Sequence, residues 1–157
     1  VPDEYPLEAA GCRIDENGKK YIRVKGVRWY TNIDHGYRHN PLSLMSMADN
    51  IKYSKHKDIQ GKKYQHYDNY DAIEIPYTDA IPCDYENLMG VPVTFLDKYC
   101  PEQFDIIWQA CGNTRASAPK EILDEVGYTI HPEDRGGCGV VNNKRQYARI
   151  LIRKKHL

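Results

Sequence analysis

The chain has 157 residues and a formal net charge of zero at pH 7, with 41% hydrophobic and 28% charged residues. This length and composition are typical of one globular domain with a buried core. No apolar run approaches the roughly 20 residues that cross a bilayer, and the start V-P-D-E-Y-P is acidic and interrupted by proline. We therefore expect neither a membrane span nor a secretory signal.

The cysteines indicate the compartment. There are five of them, an odd number, and no two form a C-x-x-C pair (Cys12, Cys83, Cys100, Cys111 and Cys138). Such a set is typical of reduced thiols in a cytoplasmic protein. The spacings of the last three match no zinc-finger or zinc-ribbon pattern, so we predict no metal site.

The first half of the chain predicts strands separated by turns. Arg13–Ile14 and Tyr21–Lys25 are expected to form a hairpin around the Asn17-Gly18 turn. The β-branched and aromatic run Val27–Ile33 predicts a buried strand. The alternating run Pro41–Ser46 favours a short strand, with a helix as the alternative. The segment Met47–Lys63 fits either a short basic helix or a mobile loop, and its charge density favours a loop that is poorly ordered without a binding partner.

The second half predicts further strands and one good helix. In chain order the predicted elements are a strand Ala72–Pro76, a loop 77–86, a buried strand or extended segment Val91–Leu96, a brief helix start Cys100–Gln103, a strand Phe104–Ala110, a helix Pro119–Val126, a glycine-rich loop Gly136–Gly139 and a strand Tyr147–Arg153. We expect the last strand to pair beside the strand from Val27 or the one from Val91. The pattern favours a single α+β domain with a mixed, largely antiparallel sheet and few short helices.

No constellation in the sequence indicates catalysis. The string Asn40-Pro41-Leu42-Ser43 lacks the second proline and the aromatic residue of the N-P-P-F loop with which amino-methylating enzymes hold a flipped base. The glycine cluster 135–139 opens no predicted helix, as a methyl-donor loop would. His35 fits a loop-anchoring role better than a general base. We therefore predict no catalytic and no cofactor-binding residue in this chain.

The charged residues are segregated along the sequence. Residues 38–63 hold six Lys or Arg against two Asp, residues 64–105 hold nine acids against one lysine, and residues 135–157 hold seven Lys or Arg and no acid. Charge blocks are more often solvated faces than binding sites, but both basic blocks also hold aromatic or short polar residues, which favours nucleic acid. Overall neutrality predicts that a more basic partner domain supplies part of the affinity.

Tyrosine is unusually frequent, with 13 Tyr against 2 Phe, and four of these tyrosines lie in the segment from Tyr64 to Tyr77. The string Y-D-N-Y-D at Tyr67–Asp71 has two interpretations. The hydroxyls could contact nucleic acid, or they could brace the sheet through a polar network. We favour the brace, because the neighbouring carboxylates would repel phosphate.

Several long strings resemble the EcoRI-type adenine-specific DNA methyltransferases. They are V-P-D-E-Y, C-R-I-D-E-N-G, W-Y-T-N-I-D-H-G-Y-R-H, P-L-S-L-M-S-M-A-D-N-I-K-Y-S-K-H-K, Y-D-N-Y-D-A-I-E, T-D-A-I-P-C-D-Y, M-G-V-P-V-T-F-L-D-K-Y-C-P-E-Q-F and R-I-L-I. In that family the donor site and the N-P-P-F loop lie upstream of a segment like V-P-D-E-Y. The resemblance implies that residues 1–157 form a C-terminal target-recognition domain of a restriction-modification enzyme. It implies double-stranded DNA and an N-terminal catalytic domain of the same polypeptide as partners, and S-adenosylmethionine as a cofactor of the full-length enzyme only.

The first basic block supplies the candidate DNA contacts. They are Arg38, His39, Lys52, Lys55, Lys57, Lys62 and Lys63. Most of them would contact phosphates without reading sequence, while Arg38 could reach a guanine edge. Two other classes stay open: a non-enzymatic interaction module, favoured by the tyrosines and the acidic middle, and a small hydrolase, for which the sequence offers almost nothing.

We predict that the 157-residue chain by itself neither binds S-adenosylmethionine nor methylates DNA, because it holds neither a donor-binding turn nor an amine-binding loop. Isothermal titration calorimetry of the purified chain with S-adenosylmethionine should give no heat of binding. A dissociation constant in the micromolar range or tighter would contradict the prediction.

Overall fold

The structure is a computed structural model that describes residues 11–23 and 31–156. The chain divides into two compact units, residues 1–33 and residues 34–157. Within the described ranges no helix is both long and apolar enough to cross a membrane.

The described part of the first unit is a β-hairpin, as predicted. Strand β1 (Cys12–Ile14) pairs antiparallel with β2 (Lys20–Ile22). The Asp15 carboxylate accepts the N–H groups of Asn17 and Lys19 at 3.0 and 2.9 Å, and Gly18 takes a φ of 77°. An Asx turn followed by a left-handed glycine closes such a hairpin. The predicted strand Val27–Ile33 lies largely outside the described residues.

The second unit is built on a four-stranded sheet. Its strands are β3 (Ala72–Glu74), β4 (Leu88–Pro92), β8 (Arg149–Lys154) and β5 (Phe104–Ala110), in that spatial order. Strands β3 and β4 are parallel, and the other pairs are antiparallel. The predicted α+β class and the largely antiparallel sheet are thus confirmed. The predicted pairing of the last strand beside the strand from Val91 is also confirmed, since Val91 faces Ile150.

Both faces of the sheet are covered, which explains the three consecutive apolar residues of β8. Ile150 and Ile152 pack into one core with Phe95 and Phe104. Leu151 points to the other face and packs into a second core with Tyr67. Alternating residues of a strand face opposite sides, so a strand between two cores is apolar throughout.

The first helix, α1 (Met47–Tyr53), corrects two predictions. Residues 41–46 form no strand, and the loop interpretation of Met47–Lys63 is wrong for α1. Ser46 caps the helix: its hydroxyl accepts the Asp49 N–H at 3.1 Å and donates to the Asp49 carboxylate at 2.8 Å. An S-x-x-D capping arrangement with an acid in the first turn stabilises a helix start, which outweighed the charge density that favoured a loop.

The other elements follow the sequence more closely. Helix α2 (Lys120–Glu125) and strand β5 are confirmed, and Gly127 follows α2 with a φ of 60°. The predicted helix start at Cys100–Gln103 is only a turn. The segment predicted as Val91–Leu96 is divided between β4 and a 3₁₀ helix, Val93–Lys98. The glycine-rich loop 136–139 is confirmed, but the hairpin that follows it, β6 (Val140–Val141) and β7 (Lys144–Arg145), was not predicted.

We predict that Ile152→Ala lowers the free energy of unfolding by about 2–5 kcal/mol, because Ile152 is fully buried in the central strand and the truncation leaves a cavity. Urea denaturation followed by circular dichroism measures the change. The control Ile130→Ala removes the same atoms from a side chain that is 76% exposed, and it should change stability by less than about 0.5 kcal/mol. Equal effects of the two substitutions would contradict the central position of β8.

Truncation after Gln146, which removes the whole strand, should abolish cooperative unfolding.

Candidate nucleic-acid interface

Helix α1 and the turn after it carry most of the predicted DNA contacts. The Lys52 ammonium lies over the Tyr53 ring at 4.8 Å from its centroid. Lys55 forms an ion pair with Asp79 at 2.7 Å, with the lysine side chain 75% exposed. An exposed pair of this kind is worth little in stability, but it partly neutralises the positive charge that Lys55 would offer to phosphate.

The turn after α1 is fixed to the rest of the unit. The Gly61 N–H donates to the Ile51 carbonyl at 2.8 Å, and Ile59 is buried in the first core. The His56 ring stacks on Tyr77 with centroids 3.7 Å apart, and its Nε2 lies 2.8 Å from an Asp79 carboxylate oxygen. These contacts anchor the basic turn to α1, to the first core and to the segment that holds Tyr77 and Asp79.

Three lysines of this turn are exposed on that fixed base. Among the described residues, no ion pair involves Lys57, Lys62 or Lys63. Ammonium groups without a carboxylate partner are available to a polyanion, and a fixed backbone lowers the entropic cost of binding one. Their contact with DNA stays a prediction.

The other two predicted contacts lie in the 3₁₀ turn Gly36–His39. Arg38 is half-buried there. His39 lies between two carboxylates, with Nδ1 2.5 Å from Glu102 and Nε2 2.6 Å from Asp34. The hydrogen bonds to Glu102 and then to Asp34 raise the pKa of His39 above its ordinary value. The hydrogen bonds from Cys100 and His39 lower the pKa of Glu102 to about 2. DNA phosphate would have to displace one of these carboxylates to reach the ring.

The string Asn40–Ser43 is held in place by one side chain. Gln103 accepts the Leu42 N–H at 2.8 Å and donates to the Leu42 carbonyl at 2.9 Å. The string lines a shallow pocket of ≈ 380 Å³ together with Tyr37, Asp97 and Lys98. Because Gln103 already hydrogen-bonds both backbone groups of Leu42, these groups serve to position the segment.

The tyrosines of Tyr67–Asp71 brace the interior, as favoured from the sequence. The Tyr67 hydroxyl donates to Glu74, whose other carboxylate oxygen accepts Nε and Nη2 of Arg149 at 2.8 and 2.6 Å. Burial, followed by the charge of Glu74, raises the pKa of Tyr67 well above its ordinary value, so the phenol stays a neutral donor. The Tyr70 hydroxyl donates to the Gly137 carbonyl at 2.5 Å.

A second polar cluster fixes the glycine-rich loop. The Tyr128 hydroxyl donates to the buried Asp134 carboxylate and accepts from Arg115 at 2.9 Å. Asp134 also accepts the N–H groups of Gly136 at 2.7 Å and His131 at 3.2 Å. The carboxylate thus has both oxygens satisfied, as a buried acid requires.

Three of the seven cations of the second basic block are in ion pairs, and a fourth donates to a backbone carbonyl. Arg149 binds Glu74, Arg153 binds Glu125 at 3.0 Å, Lys155 binds Asp105 at 3.1 Å and Lys154 donates to the Cys83 carbonyl at 2.6 Å. Three cations of the block remain exposed and form no ion pair within the described part of the chain: Arg135, Lys144 and Arg145. Sequence reasoning had not selected them, although the Asn142-Asn143 dipeptide before Lys144 is a hairpin-turn signal.

No arrangement in the described ranges indicates bound metal, because no three His, Cys, Asp or Glu side chains there are grouped to hold an ion. The chemistry that the two basic blocks support is anion binding, through exposed Lys and Arg side chains on a backbone that is anchored to the rest of the unit.

Comparison with known families then identifies the chain. Residues 1–155 match the family described as adenine-specific methyltransferase EcoRI. The chain belongs to this family. The resemblance carried by the strings in the sequence is therefore confirmed.

The individual relatives are type II methyltransferases, which agrees with the family match. The type II methyltransferase M.EcoRI of Escherichia coli is 38% identical over 157 residues, which cover 100% of this chain and 39% of the relative. The type II methyltransferase M.MgeORF184P of Mycoplasma genitalium is 32% identical over 143 residues, which cover 90% of this chain and 40% of the relative. M.MpnI of Mycoplasma pneumoniae is 28% identical with the same coverage. The chain therefore spans about two fifths of the length of these curated relatives. No solved structure matches it.

We predict that the His39 cluster stabilises the fold at acidic rather than alkaline pH. The folded-state pKa of His39 is raised, so its contribution is fully present below the unfolded pKa of 6.5 and is lost as pH rises through the folded value. The melting temperature of His39→Gln should therefore fall further below that of the parent at acidic pH than at alkaline pH. His35→Gln, a change at an exposed histidine beside the same turn, is the control and should show no such difference. A pH-independent effect of His39→Gln would contradict the assignment.

Proposed function

We propose that this chain is the DNA-recognising, C-terminal part of an S-adenosylmethionine-dependent adenine-N6 DNA methyltransferase of a restriction-modification system. The observation that carries the proposal is the family match over residues 1–155. The match is supported by the two type II methyltransferases that are more than 30% identical to the chain. Methyl transfer would take place in another part of the polypeptide, which supplies the donor site and the N-P-P-F loop.

The physical role of this part is to hold and orient the duplex. A methyltransferase must turn its target adenine out of the helix, so the flanking duplex has to be gripped while that base is unstacked. Cations on a fixed framework grip the duplex through its phosphates. Such phosphate contacts set the register and orientation of the protein on DNA without reading sequence. Lys57, Lys62 and Lys63 meet both conditions, since they are exposed and their turn is tied to α1 and to the first core.

The anchored turn gives such contacts a defined position. His56, Tyr77 and Asp79 form one contact set beneath the turn, and Asp58 accepts the Tyr77 hydroxyl at 3.0 Å. Neither of the two carboxylates forms an ion pair with Lys57: Asp79 pairs with Lys55 and His56, and Asp58 accepts the Tyr77 hydroxyl. The turn therefore presents the ammonium groups of Lys57, Lys62 and Lys63 to solvent without an ion-pair partner in the described residues.

We predict that replacing Lys57, Lys62 and Lys63 together by glutamine weakens binding to every duplex sequence. The slope of log K against log salt concentration should flatten by about one unit for each phosphate that the variant no longer binds. Fluorescence anisotropy of the chain with a labelled random-sequence duplex, titrated between about 50 and 200 mM NaCl, measures both quantities.

A matched control carries the same charge change elsewhere. Lys19, Lys98 and Lys120 are exposed lysines outside both basic blocks, and their joint replacement by glutamine should leave the slope close to that of the parent. Equal slopes for the two triple variants would assign the turn to a solvated face. Parent binding that does not depend on salt would favour the alternative function, a non-enzymatic interaction module.

A further inference from the structure

The hairpin β6–β7 is a short ribbon with a buried base and a charged outer strand. Val140 and Val141 are buried, whereas Lys144 and Arg145, which pair with them, are exposed. The connecting residues Asn142 and Asn143 take φ values of 49° and 60°. Two consecutive left-handed residues make the tight turn whose twist matches a two-stranded ribbon.

The tip of the ribbon is held by contacts from distant segments. The Asn143 N–H donates to Asp68 at 2.8 Å, and the Asn142 amide donates to the Gln65 side chain at 3.2 Å. At the base, the Gln146 N–H donates to the Gly139 carbonyl at 2.8 Å. The ribbon is therefore pre-organised at both ends, which reduces the entropy that binding would cost.

These contacts bring the two basic blocks of the sequence together. Gln65 lies two residues after Lys63, and it contacts Asn142 two residues before Lys144, across a separation of 77 residues. Arg135 and Arg145 both act on the Cys138 thiol, where their charges oppose the rise in pKa that burial causes.

The nearby acids do not form ion pairs with the ribbon. Asp68 at the tip accepts a backbone N–H, Asp134 at the root accepts Tyr128 and Gly136 and pairs with Arg115, and within the described residues no acid forms an ion pair with Lys144 or Arg145. Arg149, Arg153 and Lys155 of the same block are in ion pairs, whereas Arg135, Lys144 and Arg145 form none within the described residues. Beyond the ribbon, the Tyr147 side chain is 89% exposed.

We propose that the β6–β7 hairpin is a base-reading ribbon that enters the major groove of double-stranded DNA. This inference rests on the proposed function. The major groove admits a two-stranded β-ribbon, and arginine or lysine reads guanine there through the O6 and N7 atoms. Arg145 reads the base edge, while Lys144, which as the adjacent strand residue points to the opposite face of the ribbon, contacts a flanking phosphate, as do Lys62, Lys63 and Arg135.

The test separates base reading from phosphate contact. The chain selects a preferred duplex from a randomised library, and dissociation constants are measured on that duplex and on the same duplex with 7-deazaguanine, which lacks the N7 acceptor. A bidentate guanine contact predicts that the parent binds the modified duplex about 5- to 100-fold more weakly. Arg145→Ala should be weakened by the same factor on the natural duplex and should show no further weakening on the modified one.

Two other variants complete the comparison. Lys63→Ala should weaken binding to both duplexes by one common factor, and Lys120→Ala, at an exposed lysine on α2, should match the parent on both. A melting temperature of Arg145→Ala equal to that of the parent shows that the variant is folded. If its melting temperature is lower, Arg145→Gln replaces it in the comparison.

The inference and the proposed function fail differently. A parent chain that binds duplexes with a steep salt dependence but selects no preferred sequence overturns the inference alone. So does an Arg145→Ala variant that still binds the natural duplex more tightly than the modified one. A parent chain that binds no duplex in a salt-dependent way overturns the proposed function itself.

Discussion

The buried ion pair between Glu74 and Arg149 joins the outer strand β3 to the central strand β8 across β4, and the Tyr67 hydroxyl completes it. Removing two charges from water is expensive and is repaid only when their remaining hydrogen-bonding groups are satisfied. Here both carboxylate oxygens are used. The strand between the partners must also leave room for the tyrosine ring. It does so at Gly90, where an added Cβ would overlap the Tyr67 side chain.

This constraint extends to the surface through the residues that follow Tyr67. The Asn69 amide donates to the Cys138 carbonyl at 2.8 Å, and its oxygen accepts the Val140 N–H at 2.9 Å. Tyr70 holds Gly137, and a Cβ at Gly139 would again overlap Tyr67. The root of the β6–β7 ribbon is therefore placed by a segment about seventy residues earlier in the chain. A change inside the polar core would move the exposed cations as well as destabilise the sheet.

The elements predicted from the sequence are those with local signals such as hydrophobic periodicity, glycine and proline. The elements that depend on contacts with distant segments were not predicted. The strands of the sheet, helix α2 and the Asn17-Gly18 hairpin follow from periodicity, glycine and proline. Helix α1 was the less favoured of two interpretations, because charge density was taken to favour a loop and the capping pair Ser46 and Asp49 was not recognised. The β6–β7 ribbon was missed because two-residue strands carry little pattern, and its stability comes from distant partners. For the candidate site, the basic blocks were visible in the sequence, but the carboxylates that occupy His39 and Lys55 include partners from distant segments.

Folding reverses much of the charge segregation, and this limits what the chain can do alone. Acids of the middle segment pair with both basic blocks, as Asp79 does with Lys55 and Asp105 with Lys155. The exposed cations of the two blocks without an ion pair in the described ranges are Lys52, Lys57, Lys62, Lys63, Arg135, Lys144 and Arg145. If each of these cations met one phosphate, the slope of log K against log salt concentration would be only about −6, and base reading by Arg145 would reduce its magnitude. Such a surface favours discrimination over tight binding, which suits a recognition part that acts beside a more basic catalytic partner.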